Sequence, residues 1–198
     1  MLLTEDQMDV LKELFNRGIG KSAEIISAML DAPLSLSVPT LRLQSIHELG
    51  ESFSSEDVIG IRQIFDGKYR GDAMVLYGRT SCLEVISALL GYEETPDDFG
   101  DLERETLSEF GNIILSSCLF EFEEALGCHL PTLAPAIVHG DFPDCFISKE
   151  HGNHLMTLTM EFSVSGSAST GHITLLLDPD DIADMASKMD AYLERLMA

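Results

Sequence analysis

Residues 9–39 read DVLKELFNRGIGKSAEIISAMLDAPLSLSVP, and residues 105–135 read ETLSEFGNIILSSCLFEFEEALGCHLPTLAP. The two stretches share an acidic residue, a glutamate, an asparagine and a proline at one constant offset of 96 residues. These are Asp9, Glu13, Asn16 and Pro39 in the first copy, and Glu105, Glu109, Asn112 and Pro135 in the second. Asparagine occurs three times and proline seven times in 198 residues, so composition alone does not explain the agreement. The pattern predicts two copies of one structural unit.

Each copy opens with apolar residues at helical spacing, which predicts a long helix with one buried face. Thr4 and Gln7 have the spacing of a capping box at the start of the first helix, and Asp101 is the predicted cap of the second. The predicted buried stripes are Leu11, Leu14, Phe15, Gly18, Ser22, Ile25, Ile26 and Met29 in the first helix, and Leu107, Phe110, Ile114, Cys118, Phe122 and Leu126 in the second.

Strand patterns follow each long helix, and a short helix ends each half. Residues 34–43 alternate apolar and polar side chains, with Pro39 expected at an edge or a bulge. The other predicted strands are 58–65, 71–78, 136–138, 145–148, 154–164 and 171–177, and short helices are predicted from Ser81 and from Asp178-Pro179. The acidic segment 92–100 connects repeats of about 1–91 and 101–198. We therefore predict one α+β domain with pseudo-twofold symmetry, in which two long motif-bearing helices pack on an antiparallel sheet as two layers.

The charge of the chain excludes several classes of partner. Acidic residues number 34 against 12 basic ones, which gives a net charge of −22. This balance argues against nucleic acid and against an anionic membrane surface, because both require basic side chains. There is no apolar run long enough for a transmembrane helix and no signal-peptide pattern, so a cytoplasmic location is expected. The four cysteines are scattered, which favours reduced thiols over a metal site.

The repeated polar residues are spaced i, i+4 and i+7, which places them on one helical face opposite the apolar stripe. Asparagine is a poor helix former and has no capping role in the middle of a helix. A carboxamide can hold a water molecule as both donor and acceptor, and a carboxylate can pair with a lysine. The sequence has no evident metal cluster, catalytic triad or phosphate loop. We therefore expect these residues to complete a site on another protein by orienting an attacking water.

The two copies resemble the signature of the CheC/CheX/FliY phosphatases of bacterial chemotaxis: Asp or Ser, three residues, Glu, two residues, Asn, twenty-two residues, Pro. The first copy fits at every position, whereas the second has Glu105 where Asp or Ser is expected. The two copies make the chain more similar to the CheC members of this family than to the CheX members, which usually keep one motif.

This resemblance implies a phosphatase that acts on a phosphorylated CheY-type response regulator. The aspartyl phosphate and its Mg²⁺ belong to the regulator, so no cofactor is expected on this chain. Glu13 and Glu109 would dock to a lysine of the regulator, while Asn16 and Asn112 would orient the attacking water. Asp9 and Glu105 would support either the helix face or the docking, and Pro39 and Pro135 would shape the following strands. CheD is a further candidate partner. The alternative is a non-catalytic interaction module of the same fold, either a flagellar-switch-like scaffold or a regulator of CheD.

Overall fold

The computed structural model describes residues 3–30, 34–36, 40–53, 57–145, 154–164, 167–177 and 179–197. The helices are α1 (Glu5–Leu30), α2 (Ile46–Gly50), α3 (Arg79–Leu90), α4 (Asp101–Leu126) and α5 (Pro179–Met197). The strands are β1 (Leu34–Leu36), β2 (Thr40–Ser45), β3 (Val58–Asp66), β4 (Arg70–Gly78), β5 (Ala136–Gly140), β6 (His154–Val164) and β7 (Ser167–Leu177). None of the described helices combines the length and the apolar character needed to span a bilayer.

Within the described ranges, seven strands form one antiparallel sheet in the order β1-β6-β7-β4-β3-β5, and β2 also pairs with β6. The central pair, β4 with β7, joins the two halves of the chain. The predicted α+β fold of helices on an antiparallel sheet is confirmed. Exchanging β1 with β5, β3 with β6 and β4 with β7 gives the same strand order in reverse. This correspondence concerns only the order of the strands, so the pseudo-twofold symmetry stays a prediction.

Alternating side chains of the sheet build two apolar clusters, one on each face. On β3, Ile59, Ile61 and Phe65 face the long helices and are at most 3% exposed. The opposite face carries a smaller cluster that includes Met74 and Leu76, together with Leu49 of α2. The larger cluster fixes α1 and α4 on the sheet, so the polar faces of both helices point away from it.

The start of α1 forms as predicted, but its apolar stripe is shorter than predicted. The Thr4 N–H donates to Gln7 Oε1 at 2.9 Å, and the Gln7 N–H donates to Thr4 Oγ1 at 3.3 Å, which confirms the capping box. Ile25 and Met29 are 46% and 61% exposed, so their predicted burial is wrong. In the described part of the chain, α5 packs along the first half of α1, and no helix covers these two residues in the same way.

Four other boundaries differ from the predictions. Residues 34–43 form two strands, β1 and β2, rather than one, and Pro39 lies outside the described residues. Helix α3 begins at Arg79 instead of Ser81, because the Arg79 N–H is already held by the Asp57 carbonyl at 2.9 Å. The cap of α4 is Gly100, whose N–H donates to Glu103 Oε2 at 2.9 Å, so Asp101 is the first helical residue. Cys145 ends a short 3₁₀ helix rather than starting a strand.

His172 on β7 gives the fold a testable pH dependence. It is 8% exposed and packs edge-to-face against Phe53 with ring centroids 4.9 Å apart. Burial lowers its pKa from 6.5 to about 4. As the pH falls, the unfolded chain binds this proton first, so stability is lost between about pH 6.5 and pH 4. We expect this residue to remove about 2 kcal/mol of stability between pH 7 and pH 5.

The measurement is urea unfolding at pH 7 and pH 5, compared between the wild type and a His172→Phe variant. Phenylalanine keeps the ring contact but cannot bind a proton. All other ionisable groups are the same in the two proteins, so the difference between their losses of stability is due to His172. Equal losses of stability in the two proteins on acidification would contradict the assignment.

Candidate functional site

The two motif-bearing helices, α1 and α4, pack against each other in antiparallel directions. The Phe15 and Phe122 rings meet edge-to-face with centroids 4.9 Å apart. One turn further along α1, Gly18 lies against the backbone of α4, where a Cβ would lie 2.7 Å from Cys118 Cα. The C-terminal end of α1 therefore lies beside the N-terminal half of α4. Since each motif lies near the start of its own helix, the two motifs lie toward opposite ends of the helix pair.

The first motif lies on the exposed side of α1. Glu13 is exposed, and Asp9 is exposed and forms an ion pair with Lys12 at 2.8 Å. Asn16 is half-buried, and among the described residues no group forms a hydrogen bond with its carboxamide. Both ends of this amide are thus available to an external group.

The second motif lies on α4 and differs from the first in how its amide is held. Glu105 and Glu109 are exposed, and Asn112 is half-buried. Asn112 Oδ1 accepts hydrogen bonds from Gln63 Nε2 at 3.3 Å and from Ser116 Oγ at 3.4 Å. The predicted outward face of both helices is therefore confirmed for the glutamates, while the two amides sit at its buried margin.

The two motifs are too far apart to act on one group. The contacts of Phe15 with Phe122 and of Gly18 with Cys118 place Asn16 level with residue 121, nine residues from Asn112. At 1.5 Å per residue the two amides are about 14 Å apart along the helix axis. The structure therefore brings Glu13 together with Asn16, and Glu109 with Asn112, as two separate pairs.

The proline of the second motif lies just before the start of a strand and not on the motif helix. Pro135 is half-buried and directly precedes β5, whose ladder with β3 begins at Ala136. Proline has no N–H to donate to the ladder, and the prediction that Pro135 shapes the strand stays a prediction. Pro39 lies outside the described residues.

The surroundings of the two motifs differ in charge. Beside Asn16, the buried carboxylate of Glu121 pairs with Arg17 at 2.8 Å and with Lys21. Both cations are nearly half exposed. At the repeat offset, the second helix has Ile113 and Ser117 in place of Arg17 and Lys21. Only the first motif is therefore flanked by this pair of cations.

An apolar groove of about 540 Å³ lies beside the second motif. Glu105 and Glu109 stand at its edge, and Met29 and Leu102 are 61% and 53% exposed within it. Its apolar lining consists of Ile26, Met29, Leu30, Leu89, Leu102, Phe110 and Ile113. At the other end of the helix pair, α5 covers the surface: Gln7 Nε2 donates to Asp190 Oδ1 at 2.9 Å. Helix α3, which borders the groove through Leu89, has 12 residues, whereas α5 has 19. The groove end of the helix pair is therefore less covered than the end beneath α5.

Two buried cysteines, Cys82 and Cys118, offer no nucleophile at neutral pH. Burial raises the pKa of the thiols of Cys82 and Cys118 to about 12. Among the described residues, no cluster of three or more His, Cys, Asp or Glu side chains is arranged to hold a metal ion. The exposed carboxylates and half-buried amides on α1 and α4 can bind and orient groups of another molecule.

Sequence reasoning missed the residues that surround the motif amides, of which Gln63, Arg17 and Glu121 are the main ones. The one signal for Gln63 in the sequence is that a polar residue stands within the largely apolar strand sequence VIGIRQIF. Arg17 and Glu121 are 104 residues apart in sequence, and only the pairing of the helices brings them together.

No protein-family model matches the chain. Over 123 residues it is 30% identical to the CheY-P phosphatase CheC of Bacillus subtilis, and over 139 residues it is 20% identical to the putative CheY-P phosphatase CheC1 of Halobacterium salinarum. These two relatives support the predicted resemblance to the CheC/CheX/FliY family. The matched segments cover 59% and 70% of this chain, and 58% and 71% of those two relatives. The match spans little more than half of the length of B. subtilis CheC.

Two solved structures share the fold. FliY of Thermotoga maritima matches with a TM-score of 0.77 at 17% identity, covering 97% of this chain and all of the other. FliM of H. pylori, solved in a FliM–SpeE complex, matches with a TM-score of 0.69 at 13% identity and covers 96% of this CheC-like chain and 97% of the FliM chain. At such identities the likeness concerns the fold alone.

Proposed function

We propose that this chain is a phosphatase that accelerates loss of the phosphoryl group from a phosphorylated CheY-type response regulator. The observation that carries the proposal is the repeated pair of an exposed glutamate and a half-buried asparagine one helical turn later, on the outer side of both long helices. The family relationship to proteins named CheY-P phosphatases supports it. The chain would act in the cytoplasm, where such regulators are found.

The chemistry assigned to the asparagines is the positioning of water. Loss of a phosphoryl group through a loose transition state requires an in-line water and compensation of negative charge, and little else. A carboxamide oxygen can accept a hydrogen from that water, while the N–H donates to a phosphoryl oxygen. Asn16 and Asn112 would each place such an amide beside the phosphoryl group of a bound regulator. The regulator would supply the aspartyl phosphate and the Mg²⁺ that offsets its charge.

The glutamates are assigned to docking. Glu13 and Glu109 lie one turn before their asparagines, so a regulator lysine bound by either carboxylate would bring the phosphoryl group close to the amide. Asp9, already paired with Lys12, and Glu105, at the edge of the groove, would support this docking. The apolar groove would add contact area at the second site only.

The test is the decay of phosphorylated response regulators from the same organism, each measured with and without the chain. For at least one regulator we expect the decay rate to rise roughly tenfold or more when the chain is present at a saturating concentration. A response regulator from outside the CheY type serves as the control and should decay at its own rate. Unchanged decay of every regulator would contradict the phosphatase proposal.

A non-catalytic scaffold is the second candidate, and two observations favour it. The fold matches FliM as well as FliY, and the groove beside Glu109 offers an apolar surface for a protein partner. A regulator of CheD belongs to the same class of function. Binding of a phosphorylated regulator without faster decay would support this candidate over the phosphatase.

A further inference from the structure

Gln63 is a buried amide in an otherwise apolar row of β3. Its neighbours on the helix-facing side, Ile61 and Phe65, are 0% and 1% exposed, and Gln63 itself is 3% exposed. Its Oε1 atom is buried and has no hydrogen-bond partner among the described residues. Burying a carboxamide with an unpaired oxygen is unfavourable, whereas an apolar side chain would fit this row at no such cost. Packing therefore does not explain the glutamine.

The hydrogen bonds of Gln63 explain its place. Its Nε2 donates to Asn112 Oδ1 at 3.3 Å and to the Leu133 carbonyl at 3.5 Å. The Leu133 backbone is fixed to the same strand, since its N–H donates to the Ile64 carbonyl at 2.8 Å. A backbone carbonyl can only accept, so the NH₂ end of Gln63 must point toward Leu133, and the atom of Asn112 that faces it must be Oδ1.

We propose that Gln63 is a positioning residue for Asn112, and this rests on the proposed role of Asn112 in orienting water. Gln63 holds one lone pair of Asn112 Oδ1 and thereby fixes the plane of the carboxamide. The Asn112 NH₂ group then has a defined direction toward the phosphoryl group. The second lone pair is free for water once the Ser116 hydroxyl, which lies on the exposed helix surface at 3.4 Å, rotates away. An amide fixed in advance loses less conformational entropy when the regulator binds.

The first site has no counterpart of this contact. Asn16 has no hydrogen-bond partner among the described residues. When the halves are aligned on Gly71 and Gly171, Ala73 corresponds to Ile173, and the cross-strand partners of these two residues are Gln63 and Leu158. Leucine has no group that can donate a hydrogen bond. The glutamine is therefore specific to the second site.

A Gln63→Met substitution, placed separately in each single-site background, tests the inference. Methionine is similar in length and apolar, so it removes the amide without opening a cavity. In an Asn16→Ala chain, where only the second site remains, we expect Gln63→Met to lower kcat for dephosphorylation about three- to tenfold and to leave KM unchanged. In an Asn112→Ala chain the same substitution should leave kcat and KM as they were. Equal effects in the two backgrounds, or no loss in the first, would overturn the inference.

Side-chain amide NMR of the free ¹⁵N-labelled chain decides the same question without an activity assay. The order parameter of the Asn112 NH₂ group should exceed that of Asn16 and fall toward it in the Gln63→Met variant. Equal order parameters in the wild type, or none lost on substitution, would overturn the inference even if the chain is active. If no regulator decays faster with the wild-type chain, the proposed function fails, while the NMR result still decides whether Gln63 holds Asn112.

Discussion

Replacing both Asn16 and Asn112 by alanine is expected to abolish the acceleration of regulator dephosphorylation, whereas each single replacement leaves one working site. The two amides are about 14 Å apart along the helix pair, so neither can substitute for the other at its phosphoryl group. Loss of a water-positioning group should reduce the accelerated rate by one to two orders of magnitude, on the order of 2 kcal/mol in activation free energy. The measurement is the decay rate of a phosphorylated CheY-type regulator at saturating amounts of each variant.

Urea unfolding of each variant separates a fold defect from a lost site. Alanine is a better helix former than asparagine, so Asn16→Ala should be as stable as the wild type or slightly more stable. Asn112→Ala also removes an acceptor of the buried Gln63 amide, so its free energy of unfolding should fall by about 1 kcal/mol, too little to unfold the chain. Ser116→Ala is the control on α4: it keeps both asparagines and removes only the hydroxyl that has to leave Asn112 Oδ1 before water binds, so it should keep the acceleration. A double variant that still accelerates decay like the wild type would show that neither asparagine positions the water.

The single variants are not expected to be equivalent. The first site has an amide with no protein partner and is flanked by Arg17 and Lys21, whose charges attract a phosphorylated partner in a salt-dependent way. The second site has an amide held by Gln63 and an apolar groove beside it. Since apolar contacts are insensitive to salt screening, the second site should bear more of the activity as ionic strength rises.

The sequence was sufficient for the long helices because their signals are local. The apolar stripe of the second helix is buried throughout, as predicted, and the Thr4–Gln7 capping box forms. Burial of Ile25 and Met29 was predicted wrongly for a physical reason. Periodicity reports which side of a helix is apolar, but not whether a neighbouring element is long enough to cover that side along its whole length.

The candidate site was predictable only where it depends on a single helix. Spacing placed Glu13 and Asn16 on one face of α1, and Glu109 and Asn112 on one face of α4. The roles assigned to these residues, and to Asp9 and Glu105, stay proposals. The contact between Gln63 and Asn112 joins residues 49 positions apart on a strand and a helix, and it depends on how α4 packs on β3. No helical or strand period contains that information.

The close approach of the two motif helices leads to the largest expected effect on stability. A Gly18→Ala substitution would place a Cβ 2.7 Å from Cys118 Cα and 3.0 Å from the Ser117 carbonyl oxygen. These are backbone atoms of α4, so no side chain can rotate away, and the helices must separate. Separation would also open the contact between Phe15 and Phe122. We expect the substitution to lower the free energy of unfolding by about 3 kcal/mol.

Gly20→Ala is the matched control, two residues away on the same helix. Gly20 is exposed, and a Cβ there would have no heavy atom within 4 Å. Alanine exceeds glycine in helix propensity by about 1 kcal/mol, so this variant should be more stable than the wild type. Urea unfolding of the two variants should thus shift in opposite directions. A Gly18→Ala chain as stable as the Gly20→Ala chain would mean that α1 and α4 are not in backbone contact at this point. The antiparallel register that places Asn16 about 14 Å from Asn112 would then need to be revised as well.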